Sequence, residues 1–143
     1  MAIWFKEITL DALNRFGKNT MSEFLGIEFI EIGDDFLKAT MPVNARTRQP
    51  IGILHGGANV ALSETVASTA ANAVIDVNQF FCVGLEINAN HIRSVKEGIV
   101  TAITSPFHLG RSTQVWDVKI FNEEGKLTCI SRMTASVINR PNQ

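Results

Sequence analysis

The stretch from Gly56 to Ile75 constrains the fold more than any other part of the chain. It is rich in Ala and Val, contains no Pro, and has Glu64 as its only ionisable residue. This composition predicts one helix of about 30 Å, at a rise of roughly 1.5 Å per residue. A helix that is small or apolar nearly all round is a buried helix, so we expect the rest of the chain to wrap it.

A membrane span is the competing interpretation of such an apolar run. The run carries more polar side chains than an isolated span tolerates. These are Asn59, Ser63, Glu64, Thr65, Ser68, Thr69 and Asn72. We therefore predict no membrane association.

Length and composition point to one domain covering residues 1–143. The 13 Lys and Arg residues balance the 14 Asp and Glu residues, which argues against a nucleic-acid partner. Cys82 and Cys129 lie in apolar runs, and we expect both to be buried reduced thiols. Their spacing is not that of metal ligands, so no metal site is expected. The first residues show no signal-peptide pattern, and we expect a cytoplasmic location.

Six strand-like runs and two short helices surround the long helix. Thr9 predicts the start of a helix through Phe16, and a helical turn follows at 21–25. The turns between the runs have hairpin lengths, which favours an antiparallel sheet. The predicted strands are 27–32, 36–43, 81–93, 98–109, 112–121 and 126–138. Together they predict an α+β fold, with a curved antiparallel sheet of about six strands wrapped around one long central helix.

Glu64 is the first candidate for chemistry. A carboxylate in an apolar helix is costly to bury unless it gains a specific partner. Ser68 and Asn72 follow it at successive steps of four, so all three share one arc of the helix. For Asn72 the simpler interpretation is a structural side chain that bonds to backbone carbonyls.

The sequence His55-Gly56-Gly57 stands where the long helix begins. Free amides of a first helical turn, with the positive end of the helix dipole, suit an oxyanion that develops on a carbonyl under attack. Glycine there allows a ligand to approach the backbone closely. A plain turn into the helix is the alternative.

These residues also carry a family resemblance. The pattern Gln49-Pro50-x-Gly52-x-x-His55-Gly56-Gly57, with Glu64 and Ser68 on the next helix, resembles the hot-dog fold thioesterases of the PaaI type. The segments 84–91, 108–110 and 114–116 resemble, within that family, the menaquinone-pathway thioesterase for dihydroxynaphthoyl-CoA and its enterobactin-pathway proofreading relative.

The resemblance implies a thioester hydrolase acting on an aromatic acyl-CoA without a cofactor. Glu64 would act as general base or nucleophile, with Ser68 beside it. Gln49 and His55 would position the thioester carbonyl or the water, and the Gly57 amide would polarise the carbonyl. Alternatives are proofreading of a misacylated carrier protein and, from another class, non-catalytic binding of acyl-CoA.

The remaining candidates bind the substrate. Basic groups such as Arg93 and Arg111 could hold the phosphates of coenzyme A. The resemblance supports a wider set: Gly56, Gly84, His91, Ile92, Arg93, Ser94, His108, Leu109, Gly110, Arg111, Ser112 and Thr113.

A distance argument concerns the assembly. Gly57 and Glu64 are seven residues apart, or roughly 10 Å along one helix. Amide donor and base should each lie about 3 Å from the reacting centre, so one helix cannot easily supply both. We therefore expect a homodimer as the minimal catalytic unit, and the resemblance further implies a homotetramer.

Overall fold

The computed structural model describes residues 1–141. Two short helices open the chain, α1 (Leu10–Phe16) and α2 (Met21–Leu25). The hydroxyls of Thr9 and Thr20 accept hydrogen bonds from their first-turn amides, which is why the helices begin there. Both predicted helices are confirmed. Gly26 ends α2 at a φ of 76°, a left-handed conformation that glycine adopts without strain.

Six strands form one antiparallel sheet, as predicted. The order across the sheet is β1-β2-β4-β5-β6-β3. The strands are β1 (Glu28–Ile32), β2 (Leu37–Pro42), β3 (Phe80–His91), β4 (Ile99–Leu109), β5 (Thr113–Phe121) and β6 (Leu127–Asn139).

One connection differs from the prediction. The turn around Lys96-Glu97-Gly98 was expected to join β3 and β4 as a hairpin. Instead β3 pairs with β6 at one edge of the sheet, and β4 pairs with β2 and β5. The chain after β3 therefore crosses to the other half of the sheet.

The long helix α3 (Gly56–Ala73) packs against this sheet. It ends two residues before the predicted Ile75. The prediction of a helix buried on all sides is wrong for this chain, because the sheet covers only one face. That face carries Ala58, Asn59, Leu62, Ser63, Val66, Ala67, Ala70 and Ala71, while the opposite arc with Glu64 and Ser68 is half-buried.

The core lies between α3 and the concave face of the sheet. Trp116, Val118 and Ile120 are fully buried, so the alternation read in this strand is confirmed. The indole of Trp116 donates to Gln114 Oε1 at 2.9 Å, and Gln114 Nε2 donates to the carbonyl of Ala71 at 3.4 Å. These two buried hydrogen bonds fix the position of α3 relative to β5, and they therefore also fix the position of the polar arc of α3.

Two further expectations concern thiols and membranes. Cys82 and Cys129 are buried and unbridged, and burial raises the pKa of each thiol to about 11. Within residues 1–141, no helix is long and apolar enough to cross a membrane.

Candidate active site

A small closed loop delivers the chain to the start of α3. Arg48 and Leu54 form an isolated antiparallel bridge, and the amide of His55 donates to the carbonyl of Thr47 at 2.8 Å. Gly52 turns the loop at a φ of 85°, where a side chain would be strained. The loop therefore holds Gln49 and His55 on either side of one tight turn.

His55 is the N-cap of α3. Its Nδ1 accepts a hydrogen bond from the amide of Gly57 at 2.8 Å. Because one ring nitrogen of a neutral imidazole accepts, the other, Nε2, carries the proton and faces outward. The Gly57 amide, predicted to polarise the thioester carbonyl, thus already donates its hydrogen bond to His55. The amide of Gly56 donates to no group among residues 1–141.

Glu64 lies on the half-buried arc of α3, against β3. The hydroxyl of Ser68 donates to Glu64 Oε1 at 3.3 Å, so the expected partner is present. A Cβ at residue 84 would overlap this same oxygen, so a side chain there would displace the carboxylate from this position. Glu64 forms no ion pair within the described chain. It faces a cavity of about 530 Å³ that follows α3 back to Gly57.

Asn72 ties α3 to β3 and is structural, as the simpler interpretation held. Its Oδ1 accepts from the amide of Cys82 at 2.9 Å, and its Nδ2 reaches the carbonyls of Ser68 and Cys82 at 2.9 and 3.3 Å. These bonds anchor the strand two residues before Gly84. They therefore set the depth at which Gly84 meets the Glu64 carboxylate.

A β-bulge at Leu85 was not predicted. The pairing of β3 with β6 shifts by one residue between Gly84 and Glu86, which leaves Leu85 as the extra residue. Because side chains alternate along a strand, an extra residue reverses the side to which the following residues point. His91 consequently faces α3, where its Nδ1 lies 3.2 Å from Nδ2 of Asn59. The only signal in the sequence was a glycine inside a strand.

The predicted substrate-binding residues fall into two groups. His91, Ile92, Arg93 and Ser94 line a cavity of about 290 Å³ together with Gln49 and Gly56. His108 to Thr113 comprise the end of β4, the turn that follows and the first residue of β5, at the other end of the sheet. His91 pairs with Cys129 and Thr113 with Ser136, seven residues along β6, or about 23 Å. One chain does not bring the two groups together.

Comparisons with known proteins place this site in a family. Residues 51–129 match the model of the thioesterase superfamily. The chain is 52% identical to 1,4-dihydroxy-2-naphthoyl-CoA hydrolase of Escherichia coli (strain K12) over 136 residues, which cover 95% of this chain and 99% of that protein. The chain belongs to the thioesterase superfamily.

Two further relatives agree. The proofreading thioesterase EntH of Cronobacter turicensis is 46% identical over 136 residues, covering 95% of this thioesterase and 98% of the relative. A crystal structure of the mutant thioesterase PA1618 (Q49A) from Pseudomonas aeruginosa superposes with a TM-score of 0.96 at 44% identity, covering 97% and 100% of the two chains. The predicted hot-dog fold, family and thioester hydrolase activity are confirmed.

The thioesterase has one more cavity, reaching Ser68 on α3, that sequence reasoning missed. About 500 Å³ in volume, it lies between α1, α2, β1 and α3. Its walls include the apolar side chains of Leu13, Phe16 and Phe29 and the hydroxyl groups of Thr65, Ser68 and Thr69. The hydroxyl of Ser68 also donates a hydrogen bond to Glu64. Within residues 1–141 no three His, Cys, Asp or Glu side chains are grouped to hold a metal ion.

Proposed function

We propose that this thioesterase hydrolyses the thioester of an aromatic acyl-CoA such as 1,4-dihydroxy-2-naphthoyl-CoA. The observation that carries the proposal is the Glu64 carboxylate, held by Ser68, free of any ion pair within the described chain, and facing an open cavity. Such a carboxylate is available to a substrate, since no cation neutralises it. The 52% identity to an enzyme named for this substrate supports the choice of acyl group.

The chemistry follows from the groups present. Glu64 takes a proton from water as the water oxygen attacks the carbonyl carbon, the C–S bond breaks, and the coenzyme A thiolate leaves and is protonated. Alternatively Glu64 attacks the carbonyl itself, and water then hydrolyses the resulting anhydride. Both routes pass through an oxyanion, and both release a carboxylic acid and free coenzyme A.

The start of α3 supplies donors for that oxyanion. The Gly56 amide has no partner among residues 1–141, and the Nε2–H of His55 faces outward. Both lie at the positive end of the helix dipole, which stabilises negative charge. We propose that these two groups donate hydrogen bonds to the oxyanion. The Gly57 amide then acts indirectly, by holding the His55 ring in place.

The cavity beside α1 supports an aromatic acyl group. Its volume of about 500 Å³ is within the range of roughly 300–1,000 Å³ typical of small-molecule sites. Thr65 and Thr69 donate their hydroxyl protons to the carbonyls of Ala61 and Thr65, so their oxygens can only accept from a ligand. The wall therefore combines apolar surface with acceptors, which suits a hydroxylated ring.

The catalytic unit we propose is a homodimer, assembled as a homotetramer. β3 is an edge strand of twelve residues with Val83 and Leu85 exposed, a surface open to pairing with a second copy. Antiparallel pairing of two β3 strands would carry the 91–94 group of one chain to the same end of the joint sheet as the 108–113 group of its partner. It would also set the α3 start of one chain near Glu64 of the other.

A second candidate substrate is an acylated carrier protein. It is favoured by the 46% identity to a proofreading thioesterase. Both substrates present the acyl group on the same phosphopantetheine arm, so the chemistry at Glu64 is unchanged. Non-catalytic binding of acyl-CoA is the outcome if no thioester is cleaved.

Release of thiol from benzoyl-CoA tests the proposal. Glu64→Gln should lower kcat by roughly 10²–10⁴-fold, the range of a general base, with an unchanged circular dichroism spectrum. Glu97→Gln, at an exposed carboxylate outside α3, is the matched control and should keep full activity. Equal activity of Glu64→Gln and wild type would overturn the proposal. A panel of dihydroxynaphthoyl-CoA, hydroxybenzoyl-CoA, medium-chain acyl-CoA and acylated carrier protein identifies the acyl group and its carrier.

A further inference from the structure

Asn59 is a polar residue on the face of α3 that packs against the sheet. It is only 5% exposed. Its Nδ2 lies 3.2 Å from Nδ1 of His91, while its Oδ1 has no hydrogen-bond partner among residues 1–141. A buried acceptor without a partner is costly, and an apolar side chain of similar size, such as leucine, would avoid the cost. The contact with His91 is the one hydrogen bond that the Asn59 amide group makes among residues 1–141.

The imidazole ring of His91 lies against the first turn of α3. Its Nδ1 meets Asn59, and a Cβ placed on Gly56 would lie 2.8 Å from its Nε2. Nε2 therefore lies beside Gly56 at the start of α3, and both residues line the cavity of about 290 Å³ that Gln49 and Arg93 also line. Gly56 carries no side chain that would fill this space.

The contact decides which ring nitrogen carries the proton. An amide Nδ2 can only donate, so Nδ1 of His91 must accept. A neutral imidazole has a single N–H, which then lies on Nε2. The ring consequently offers a donor beside Gly56, in the cavity that Arg93 also lines.

We propose that Asn59 is a positioning residue that holds His91 in the Nε2–H tautomer, so that Nε2–H donates to an acceptor oxygen of the phosphopantetheine arm. The proposal rests on the proposed function for the identity of the ligand. The hydrogen bond to Asn59 exists without substrate, so the ring is oriented before binding. Loss of Asn59 should therefore weaken binding more than it slows the chemical step.

The first test is kinetic. Asn59→Leu should raise KM for benzoyl-CoA about tenfold, the effect of one lost hydrogen bond to an oriented donor, with kcat within about threefold of wild type. Its Tm should not fall, because the substitution removes the unpartnered Oδ1. In a His91→Ala background the same substitution should change KM no further, since Asn59 acts through His91. An unchanged KM, or a further rise in that background, would overturn the proposal.

Ser63→Ala is the matched control. Ser63 lies one turn along the same buried face, and its Oγ likewise has no partner among residues 1–141. It does not contact His91, so KM should match wild type. A KM effect equal to that of Asn59→Leu would show that any change on this face perturbs the site, and would count against a specific role for Asn59.

The second test needs no substrate. Long-range ¹H–¹⁵N NMR of the free protein reports the tautomer of each of the three histidines, and a His91→Gln variant assigns the His91 signals. At pH 8 the wild-type ring should be in the Nε2–H form, and Asn59→Leu should give a mixture of tautomers. An Nδ1–H ring in the wild type would refute the proposal even if the protein is an active thioesterase. If acyl-CoA is not cleaved at all, the proposed function fails, and the tautomer result still stands.

Discussion

At the scale of single residues, glycine is present at three positions of the site for three different physical reasons. Gly84 leaves space for the Glu64 carboxylate, and Gly56 leaves space for the His91 ring. Gly57 gives its amide to His55 and so fixes the cap of α3. Sequence alone suggested that glycine at the helix start serves close approach of a ligand. The structure shows instead that Gly56 at the helix start, and Gly84 in β3, accommodate the protein's own side chains.

Gly84→Ala tests the space at Glu64. The new Cβ would overlap Glu64 Oε1, so the carboxylate must move and kcat for benzoyl-CoA should fall at least about tenfold. Glu64→Asp withdraws the carboxylate by one methylene and should cost less activity in the Gly84→Ala background than in wild type. Such non-additivity is the mark of two residues in contact. Fully additive losses would show that Gly84 affects activity through the strand and not through Glu64.

At the scale of secondary-structure elements, the two edge strands differ in one important respect. Both carry a bulge with an exposed apolar residue, Ile30 in β1 and Leu85 in β3. However, β1 has five residues and β3 has twelve. Only β3 is long enough to continue the sheet into a second copy, and its bulge lies beside Glu64.

Leu85→Lys should therefore break the proposed dimer, because a charge on an edge strand opposes pairing with a second strand. Ile30→Lys, the same change at the equivalent position of the other edge, should leave the assembly intact. Sedimentation velocity measures both. A Leu85→Lys protein with the assembly state of wild type would exclude β3 as the dimer edge.

At the scale of the whole molecule, the groups needed for one reaction are spread along the chain. The 91–94 and 108–113 groups lie at opposite ends of β6, and Gly57 and Glu64 lie two turns apart on α3. Rotation of a second copy about a two-fold axis at β3 would bring each group to its counterpart. The spread of these groups along the chain therefore supports the proposed dimer.

Mixing inactive chains tests the proposed dimer. A Glu64→Ala chain paired with a Gln49→Ala/His55→Ala chain has one intact site per heterodimer, so purified heterodimers carrying two different tags should recover about half of the wild-type activity. Each homodimer alone should be inactive. Heterodimers without activity would show that each chain uses its own Gln49, His55 and Glu64.

The two buried thiols predict how global stability depends on pH. An unfolded thiol loses its proton near pH 8.5, whereas burial holds the folded pKa of Cys82 and Cys129 at about 11. Between these values the unfolded chain binds fewer protons than the folded chain, so the free energy of unfolding falls as pH rises from about 9 to 11. Urea titrations at pH 8 and 10.5 should show a smaller fall in Cys82→Ala/Cys129→Ala. An equal fall in both proteins would contradict the shift.

Much of the fold was predictable because its signals are local. The apolar run without Pro specified α3, and alternation specified the buried side of β5, as Trp116 and Val118 confirm. Turn lengths indicated antiparallel pairing. The same turns could not reveal that β3 pairs with β6, because partner choice depends on contacts between residues far apart in the chain.

The site divides in the same way. Sequence by itself determined that Glu64 is the one ionisable group in the central helix, that Ser68 shares its arc, and that glycines open the helix start. Only the tertiary structure decided the direction of His91, because one extra residue at Leu85 reverses the side on which it lies. The partnership of Asn59 with His91 likewise depends on how α3 sits over β3, and no local pattern encodes that packing.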